Sequence, residues 1–230
     1  GGGFDYSWSP DGKWFTLEFI GNRHDPYSDI GMVSAQGGKI INLTNSGYTS
    51  GSPRWVLDGN AILFITERYG MRAHASWGSL NDVMLVFMNQ DAYDKFRLSK
   101  EDYELQKELE KEQKNTTEAK KNDKKKGDNK EKSEEKKEEK VKDIVVELNN
   151  IEDRIVRLTP NSSDLGSAII TKDGETLYYL SAFEGGYDLW KMNLRKKDTK
   201  LLHKMDAGWA NMEMDKDGKN LFLLGSNTMQ

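Results

Sequence analysis

The chain has 230 residues, of which 36% are hydrophobic and 31% charged, with a formal net charge of −4 and no cysteine. The absence of cysteine excludes disulfide staples, thiolate catalysis and cysteine-based zinc sites. No stretch approaches the roughly 18 consecutive apolar residues of a membrane helix, so no membrane insertion is predicted. The chain begins at Gly1 without a methionine and stops at Gln230 soon after an apolar run, so we expect a fragment of a longer protein.

The charge is concentrated in one low-complexity segment. Residues 104–142 contain 14 lysines and 12 acidic residues, and the rest of the chain has 20 basic against 26 acidic residues, a net charge of −6. A nucleic-acid-binding face needs clustered basic residues on a folded domain, and none occurs outside this segment. The composition therefore predicts an ordinary folded domain with no nucleic-acid partner.

Four Asp-Gly pairs reveal an internal repeat. The aspartates are residues 11, 58, 173 and 217, separated by 47, 115 and 44 residues, and the long gap contains the Lys/Glu-rich segment. Subtracting an insertion of roughly 70 residues leaves a period of about 45, which is typical of a β-propeller blade. A β-sandwich is the alternative, but its turns recur at about 8–12 residues without a longer period.

The predicted strands follow each Asp-Gly turn as short apolar runs, a pattern that suits strands buried on both faces. We predict an all-β fold: a propeller fragment of about three and a half four-stranded blades. In chain order, the strands are residues 14–20, 30–33 and 40–44 in the first unit, 61–65, 83–88 and 154–159 in the second, 177–180, 188–192 and 201–202 in the third, and 221–224 in the fourth.

The second unit is interrupted by an insertion, which divides the chain into three parts. Residues 1–89 hold blade 1 and the first part of blade 2, residues 90–143 are helical and then low-complexity, and residues 144–230 hold the end of blade 2, blade 3 and half of blade 4. Ser99 is the predicted N-cap of a second helix, with Asp102 at the capping-box position. The Lys/Glu-rich part is either a solvated helix or disordered, and disorder is favoured through its middle. A regulatory or partner-binding tail is the functional alternative.

The motifs of a hydrolytic site are missing from the sequence. A Ser-His-Asp site needs converging side chains, and no Gly-x-Ser-x-Gly elbow occurs. Proximity of His74 to Ser76 in sequence does not establish such geometry, and the loop containing Arg72 and Trp77 is expected to pack at a blade edge or line a rim. The three histidines are His24, His74 and His203.

One acidic run resembles the start of a calcium loop. It begins at Asp215, but the twelfth position, which requires glutamate, is Ser226. A hairpin turn is therefore predicted there. We predict no catalytic, cofactor-binding or metal-binding residue and no cofactor, and the substrate-binding residues stay unknown.

The repeat resembles a known propeller family. The run Ser9-Pro10-Asp11-Gly12-Lys13 with the closing Leu43-Thr44 is similar to TolB-type and tricorn-type repeats. Further similarity to bacterial tricorn-like serine proteases, relatives of the tail-specific peptidases, lies in residues 53–55, 68–72, 76–79, 92–96, 172–175 and 187–190. In that family a propeller precedes a PDZ domain and a protease domain, and neither domain is recognisable in this chain, so the resemblance supplies no catalytic residue.

The resemblance implies a non-catalytic role in admitting or docking peptide or unfolded-protein substrates, or in assembling the protease. The expected partners are such substrates and the downstream PDZ and protease domains, with homo-oligomerisation possible and a periplasmic or cell-envelope location ahead of a cytoplasmic one. The fragment itself is not predicted to be an enzyme, whereas the parent protein is predicted to be a serine-type peptidase. The alternatives are a TolB-like envelope scaffold without activity and the gating propeller of a prolyl-oligopeptidase-type enzyme.

Overall fold

The computed structural model describes residues 6–21, 27–72, 78–123, 142–226 and 228–229. The described residues form three four-stranded antiparallel sheets and one three-stranded sheet, and in each sheet the strands lie side by side in chain order. Blade 1 contains β1 (Tyr6–Trp8), β2 (Trp14–Phe19), β3 (Asp29–Ser34) and β4 (Ile41–Asn42); blade 2 contains β5 (Ser50–Val56), β6 (Ala61–Thr66), β7 (Asp82–Phe87) and β8 (Ile155–Arg157); blade 3 contains β9 (Asp164–Ile170), β10 (Thr176–Ala182), β11 (Tyr187–Asn193) and β12 (Asp198–Ala207); blade 4 contains β13 (Ala210–Met214), β14 (Leu221–Gly225) and β15 (Thr228–Met229).

The predicted row of propeller blades is confirmed, and the last blade extends further than expected. The sequence predicts that blade 4 ends at residue 224, half a blade in. The structure adds β15, in which Thr228 pairs with Gly225 and Met229 with Leu224. A two-residue strand carries too little alternation of apolar and polar residues to be recognised from the sequence.

Apolar layers lie between successive sheets, and this stacking explains the apolar runs. Along β6, Ile62 and Phe64 pack toward blade 1, whereas Ala61 and Leu63 pack toward blade 3. Every residue of β7 is buried. The central sheet therefore buries both faces, as the unbroken apolar sequence of these strands predicts.

Three of the four Asp-Gly turns share one conformation. The glycines have φ angles of +68°, +70° and +69° at Gly12, Gly174 and Gly218. In each turn the glycine amide donates to the carbonyl three residues earlier, at distances of 2.9–3.0 Å. That earlier residue has a side-chain oxygen which accepts a backbone amide hydrogen bond from a residue just after the turn. These residues are Ser9, Thr171 and Asp215.

The turn of blade 2 differs from the hairpin turn predicted for Asp58-Gly59. Leu57 and Asp58 also have positive φ angles, and residues 57–59 form a 3₁₀ turn. The position equivalent to Ser9 is Val56, which has no side-chain oxygen to accept an amide hydrogen. Asn60 substitutes by donating its amide group to the Leu57 carbonyl at 2.8 Å.

Buried aspartates fasten the outer strands of blades 1 and 2. Asp29, at the start of β3, accepts the Thr44 hydroxyl at 2.7 Å. Asp82, at the start of β7, accepts the Thr159 hydroxyl at 2.8 Å and forms an ion pair with Arg157. The Leu-Thr endings of these two units therefore hold the fourth strand to the third.

The insertion joins β7 to β8 and begins with two helices, α1 (Gln90–Arg97) and α2 (Lys100–Asp123). Asn89 caps α1 by accepting the Ala92 amide at 2.9 Å. Ser99 accepts the Asp102 amide at 3.1 Å, which confirms the predicted cap of the second helix. Within the described residues, no helix is both long enough and apolar enough to cross a bilayer.

Candidate functional site

The antiparallel order of the strands gives the stacked blades two ends with different connections. One end, the turn face, holds the Asp-Gly turns and the β7–β8 connection that contains the insertion. The other end, the loop face, holds the connections after the second and fourth strands of each blade, including residues 44–49 and 67–81. Loops on a rigid scaffold are the usual place for binding residues, so both ends are candidate sites.

The turn face of blades 1 and 2 is covered by residues 142–150, here called the return segment. The Ile144 amide donates to the Asp11 carboxylate at 3.0 Å, and Asp143 pairs with Lys13 at 2.7 Å. A Cβ at Gly59 would lie 2.3 Å from the Ile144 side chain, so only glycine permits this approach. Burial of Asp11 opposes ionisation, but its hydrogen bonds from Ser9 and the Ile144 amide outweigh burial and lower the pKa of Asp11.

Helices α1 and α2 are fastened to blade 3 by Arg195. Its guanidinium donates to the carbonyls of Phe96 and Leu98 at 2.7 and 3.0 Å, and it lies 3.8 Å from the centre of the Tyr103 ring. These carbonyls belong to the C-terminal end of α1, where a positive charge is favourable. Lys107 forms an ion pair with Glu175 at 2.7 Å.

A cavity of about 830 Å³ lies between the helices, the return segment and the turns of blades 2 and 3. Several of its charged groups are already used by the protein. Lys95 pairs with Glu110, and the Arg195 guanidinium is bound to backbone carbonyls. The cavity therefore belongs to the contact between the insertion and the blades.

The loop face contains an open cluster built around Glu67. Its carboxylate accepts the Thr49 amide at 3.1 Å, the Arg72 guanidinium at 2.6 Å and the Ser79 hydroxyl at 2.8 Å. Burial of Glu67 favours its neutral form, but these hydrogen bonds and the charge of Arg72 outweigh burial and lower the pKa of Glu67. The ionised carboxylate joins the end of blade 1 to the 67–81 loop of blade 2.

Aromatic rings and arginines alternate around this carboxylate. Arg72 lies over the rings of Tyr27 and Tyr48 at 5.5 and 4.9 Å, and Tyr69 is contacted by Arg68 at 5.5 Å and by Arg157 at 5.1 Å. The exposed fractions are 38% for Tyr48, 49% for Tyr69 and 76% for Met71. We call this surface the aromatic rim, and it comprises Tyr27, Tyr48, Arg68, Tyr69, Met71 and Arg72.

A close backbone approach holds the aromatic rim in place. A Cβ at Gly70 would lie 1.6 Å from the Leu80 carbonyl oxygen, so no other residue fits here without rearrangement. The Leu80 amide donates to the Met71 carbonyl at 3.0 Å, and Arg72 forms a β-bridge with Ser79. The loop is therefore a fixed hairpin at its base, which prepares its side chains for binding at little entropic cost.

The residues considered from the sequence for catalysis are not brought together among those described. His24, His74, Ser76 and Trp77 lie outside the described residues. His203 lies on β12 opposite Leu189, far along the chain from the rim loop. Arg72 is a member of the aromatic rim. No group of three or more potential metal ligands occurs within the described ranges.

The sequence did not identify the aromatic rim as a unit, because its members come from three connections. Tyr27 lies in the β2–β3 connection, Tyr48 lies in the β4–β5 connection, and the remaining members follow β6. The available signal was the run Arg68-Tyr69-Gly70-Met71-Arg72, which combines aromatic, arginine and methionine residues with a glycine. These residue types are enriched at sites that bind other proteins.

Comparison with known proteins identifies the fold. No family model matches the chain. Over 59 residues it is 39% identical to the uncharacterized peptidase YuxL of Bacillus subtilis (strain 168), a match that covers 26% of this chain and 9% of that protein. Tricorn protease superposes with a TM-score of 0.58 at 10% identity over 97% of this chain and 20% of its own length. Hydrazine synthase of Kuenenia stuttgartiensis superposes with a TM-score of 0.56 at 12% identity over 97% of this chain and 29% of that chain.

These comparisons show a β-propeller of the type found in tricorn protease. TolB from Acinetobacter baumannii also superposes, with a TM-score of 0.48 at 14% identity over 97% of this chain and 41% of TolB. The chain spans about a fifth of tricorn protease and less than a tenth of YuxL. The predicted resemblance to tricorn-type propellers is confirmed at the level of the fold.

Proposed function

We propose that this tricorn-type propeller segment is a non-catalytic part of a serine-type peptidase and docks peptide or unfolded-protein substrates on its loop face. Proteolysis is assigned to PDZ-linked protease domains that are not recognisable within these 230 residues. The observation that carries the proposal is the aromatic rim, which stays open while the turn face of blades 1 to 3 is contacted by the insertion.

The chemistry of the rim suits unfolded polypeptide. Tyrosine and arginine dominate the binding energy of protein interfaces, and exposed methionine adapts to varied apolar side chains. The rings are held by Arg72, Arg157 and the base of the hairpin, so binding orders few side chains. An unfolded chain presents the apolar and aromatic side chains that a folded chain buries, and these side chains are the expected ligands.

The 39% identity to a protein named as a peptidase supports the assignment to a peptidase over a scaffold without activity. A periplasmic or cell-envelope location, further domains of the parent chain as partners, and homo-oligomer formation stay predictions from the family resemblance. They do not depend on the rim.

The test uses the parent protein, in wild-type form and with the double substitution Tyr48→Ala and Tyr69→Ala. We expect cleavage of an unfolded substrate that a serine-directed inhibitor abolishes. Each truncated tyrosine ring is expected to weaken substrate binding by roughly 1 kcal/mol. The double substitution therefore raises KM about tenfold or more and leaves kcat unchanged. The matched control is Leu105→Ala with Leu109→Ala, two exposed apolar residues of α2 on the insertion.

Two results would contradict the proposal. An unchanged KM in the rim variant would show that substrates do not dock on the aromatic rim. An inactive parent protein that binds unfolded polypeptide without cleaving it would favour the TolB-like scaffold.

A further inference from the structure

The first strands of the blades form an inner wall that is separate from the aromatic rim. These strands are β1, β5, β9 and β13, each at the edge of its sheet. β5 contacts β1, and β13 contacts β9. Three cavities of about 380, 330 and 270 Å³ lie along this wall.

Arg54 of β5 lines all three cavities. Its side chain is exposed, and it has no hydrogen bond, ion pair or ring contact with any described residue. Other arginines are engaged: Arg157 binds Asp82, and Arg195 binds the end of α1. A guanidinium that meets three cavities without an internal partner is available to an external acceptor.

The backbone immediately before Arg54 is irregular. The pairing of β5 with β6 shifts register between Gly51 and Arg54, which is a β-bulge. Ser52 lies within the bulge with a φ angle of +54°, a region that a non-glycine residue adopts only at an energetic cost. Bulges commonly redirect side chains at functional sites.

The surroundings leave room for a ligand. Across the cavity from Arg54 the wall is built from small residues, Gly166, Ser167, Ala168 and Ala210. The edge strands have one side free of sheet partners within their own sheets, so their backbone groups can pair with an extended peptide. Glu213 lines one of the same cavities without an ion pair to Arg54, so it opposes anion binding there.

We propose that Arg54 is a carboxylate-binding site which anchors an extended peptide on the inner wall. Arginine binds a carboxylate with two parallel hydrogen bonds, an arrangement that a lysine cannot reproduce. The carboxylate comes from an acidic side chain or from the C-terminus of the peptide. This inference rests on the proposed docking of peptides but uses a different surface from the rim.

The test measures binding of three labelled hexapeptides to the 230-residue chain by fluorescence anisotropy. The first peptide has a single central aspartate and a C-terminal amide. The second has asparagine instead of the aspartate and keeps the C-terminal amide. The third has asparagine and a free C-terminal carboxylate. We expect either carboxylate peptide to bind about tenfold tighter than the neutral peptide, the energy of one charge-assisted bidentate contact. Comparing the first and third peptides identifies the source of the carboxylate.

Substitutions assign the effect to one side chain. Arg54→Met removes the tenfold preference, and Arg54→Lys retains only part of it. Arg97→Met, which removes the same charge from the exposed outer side of α1, leaves it unchanged. Glu213→Gln strengthens binding of the carboxylate peptides about two- to threefold, because a nearby negative charge is removed. Circular dichroism confirms that each variant is folded.

The outcomes separate this inference from the proposed function. If all three peptides bind equally and Arg54→Met does not change their affinity, the carboxylate site is wrong while peptide docking stands. Loss of that binding in the rim variant would then place docking on the rim. If no peptide binds, the carboxylate site is wrong, and docking on the rim is decided separately by the KM of the rim variant of the parent protein. If Arg97→Met removes the preference as well, the effect is general electrostatics and the site is again wrong.

Discussion

The two ends of the stacked blades are stabilised in different ways. On the turn face, the insertion folds back over blades 1 to 3 and is held by Arg195 and by the return segment. On the loop face, carboxylates such as Asp82 and Glu67 hold the connections from within and leave rings exposed. The comparison teaches that the turn face is held in part by a segment that lies over it, whereas the loop face is held by carboxylates within its own connections.

The largest expected effect on local stability is on the turn face, which the insertion covers. Arg195→Met leaves the last carbonyls of α1 without their charged donor, and hydrogen bonds to charged groups are worth about 2–3 kcal/mol. We expect the free energy of local opening of α1 to fall by that amount. Hydrogen exchange of the α1 amides measures it, with Lys196→Met as the control on the neighbouring exposed side chain. Unchanged protection would show that α1 is held by other contacts.

On the loop face, the next largest effect is expected from disturbing the backbone at Gly70. Gly70→Ala places a methyl group 1.6 Å from the Leu80 carbonyl oxygen, and overpacking of this kind costs about 2 kcal/mol. The Leu80 amide, which donates to Met71, is expected to exchange about 30-fold faster. Gly208→Ala is the matched control, because its methyl group meets only the Ser226 hydroxyl at 3.8 Å. Equal exchange in both variants would mean that the hairpin is not fixed at Gly70.

The carboxylate at the centre of the rim gives a pH-dependent contribution. Because the pKa of Glu67 is lowered on folding, its stabilisation is fully present above its ordinary value of 4.5 and is lost as the pH falls through the lowered pKa. Glu67→Gln should therefore cost up to about 1 kcal/mol at pH 7 and less at pH 3. Urea unfolding at both pH values measures the difference, and Glu184→Gln serves as the exposed control. A cost that is independent of pH would assign the effect to packing.

The smallest expected effect on stability comes from the exposed ion pair between Lys107 and Glu175 on the turn face. The hydrogen bond to Glu175 raises the pKa of Lys107, so this contribution is present below the ordinary value of 10.5 and is lost as the pH rises through the raised pKa. Both side chains are well exposed, at 42% and 32%, and Lys107→Met should cost only a few tenths of a kcal/mol at pH 7. Thermal unfolding compares it with Lys111→Met. A cost above 1 kcal/mol would make Lys107 a principal attachment of α2.

The sequence predicted the repeating parts of the fold because each repeat carries its own local chemistry. Gly12, Gly174 and Gly218 adopt one conformation since a side-chain oxygen stands three residues before each. The blade 2 turn departs from this pattern because Val56 has no such oxygen. A prediction from Asp-Gly alone could not distinguish the two cases.

Contacts between distant residues could not be predicted in the same way. Arg195 meets the carbonyl of Phe96 across 99 positions, and Tyr27, Tyr48 and Arg72 come from three connections. Arg54 carried no signal in the sequence either, since its lack of a partner is a property of the folded wall. Periodicity reports local structure, whereas these sites depend on how blades are placed side by side.

The position of the insertion also shapes the order in which the chain folds. The amide of Val83 on β7 donates a hydrogen bond to the hydroxyl of Thr159, which lies just beyond β8 and 76 positions along the chain. Closing so long a loop costs about 2 kcal/mol more than closing a short hairpin. During synthesis at roughly 5–20 residues per second, β7 waits for several seconds before β8 emerges. Throughout that interval β7 is an edge strand without its outer partner, so the edge of blade 2 stays unpaired for longer than the edge of a blade whose strands follow one another directly.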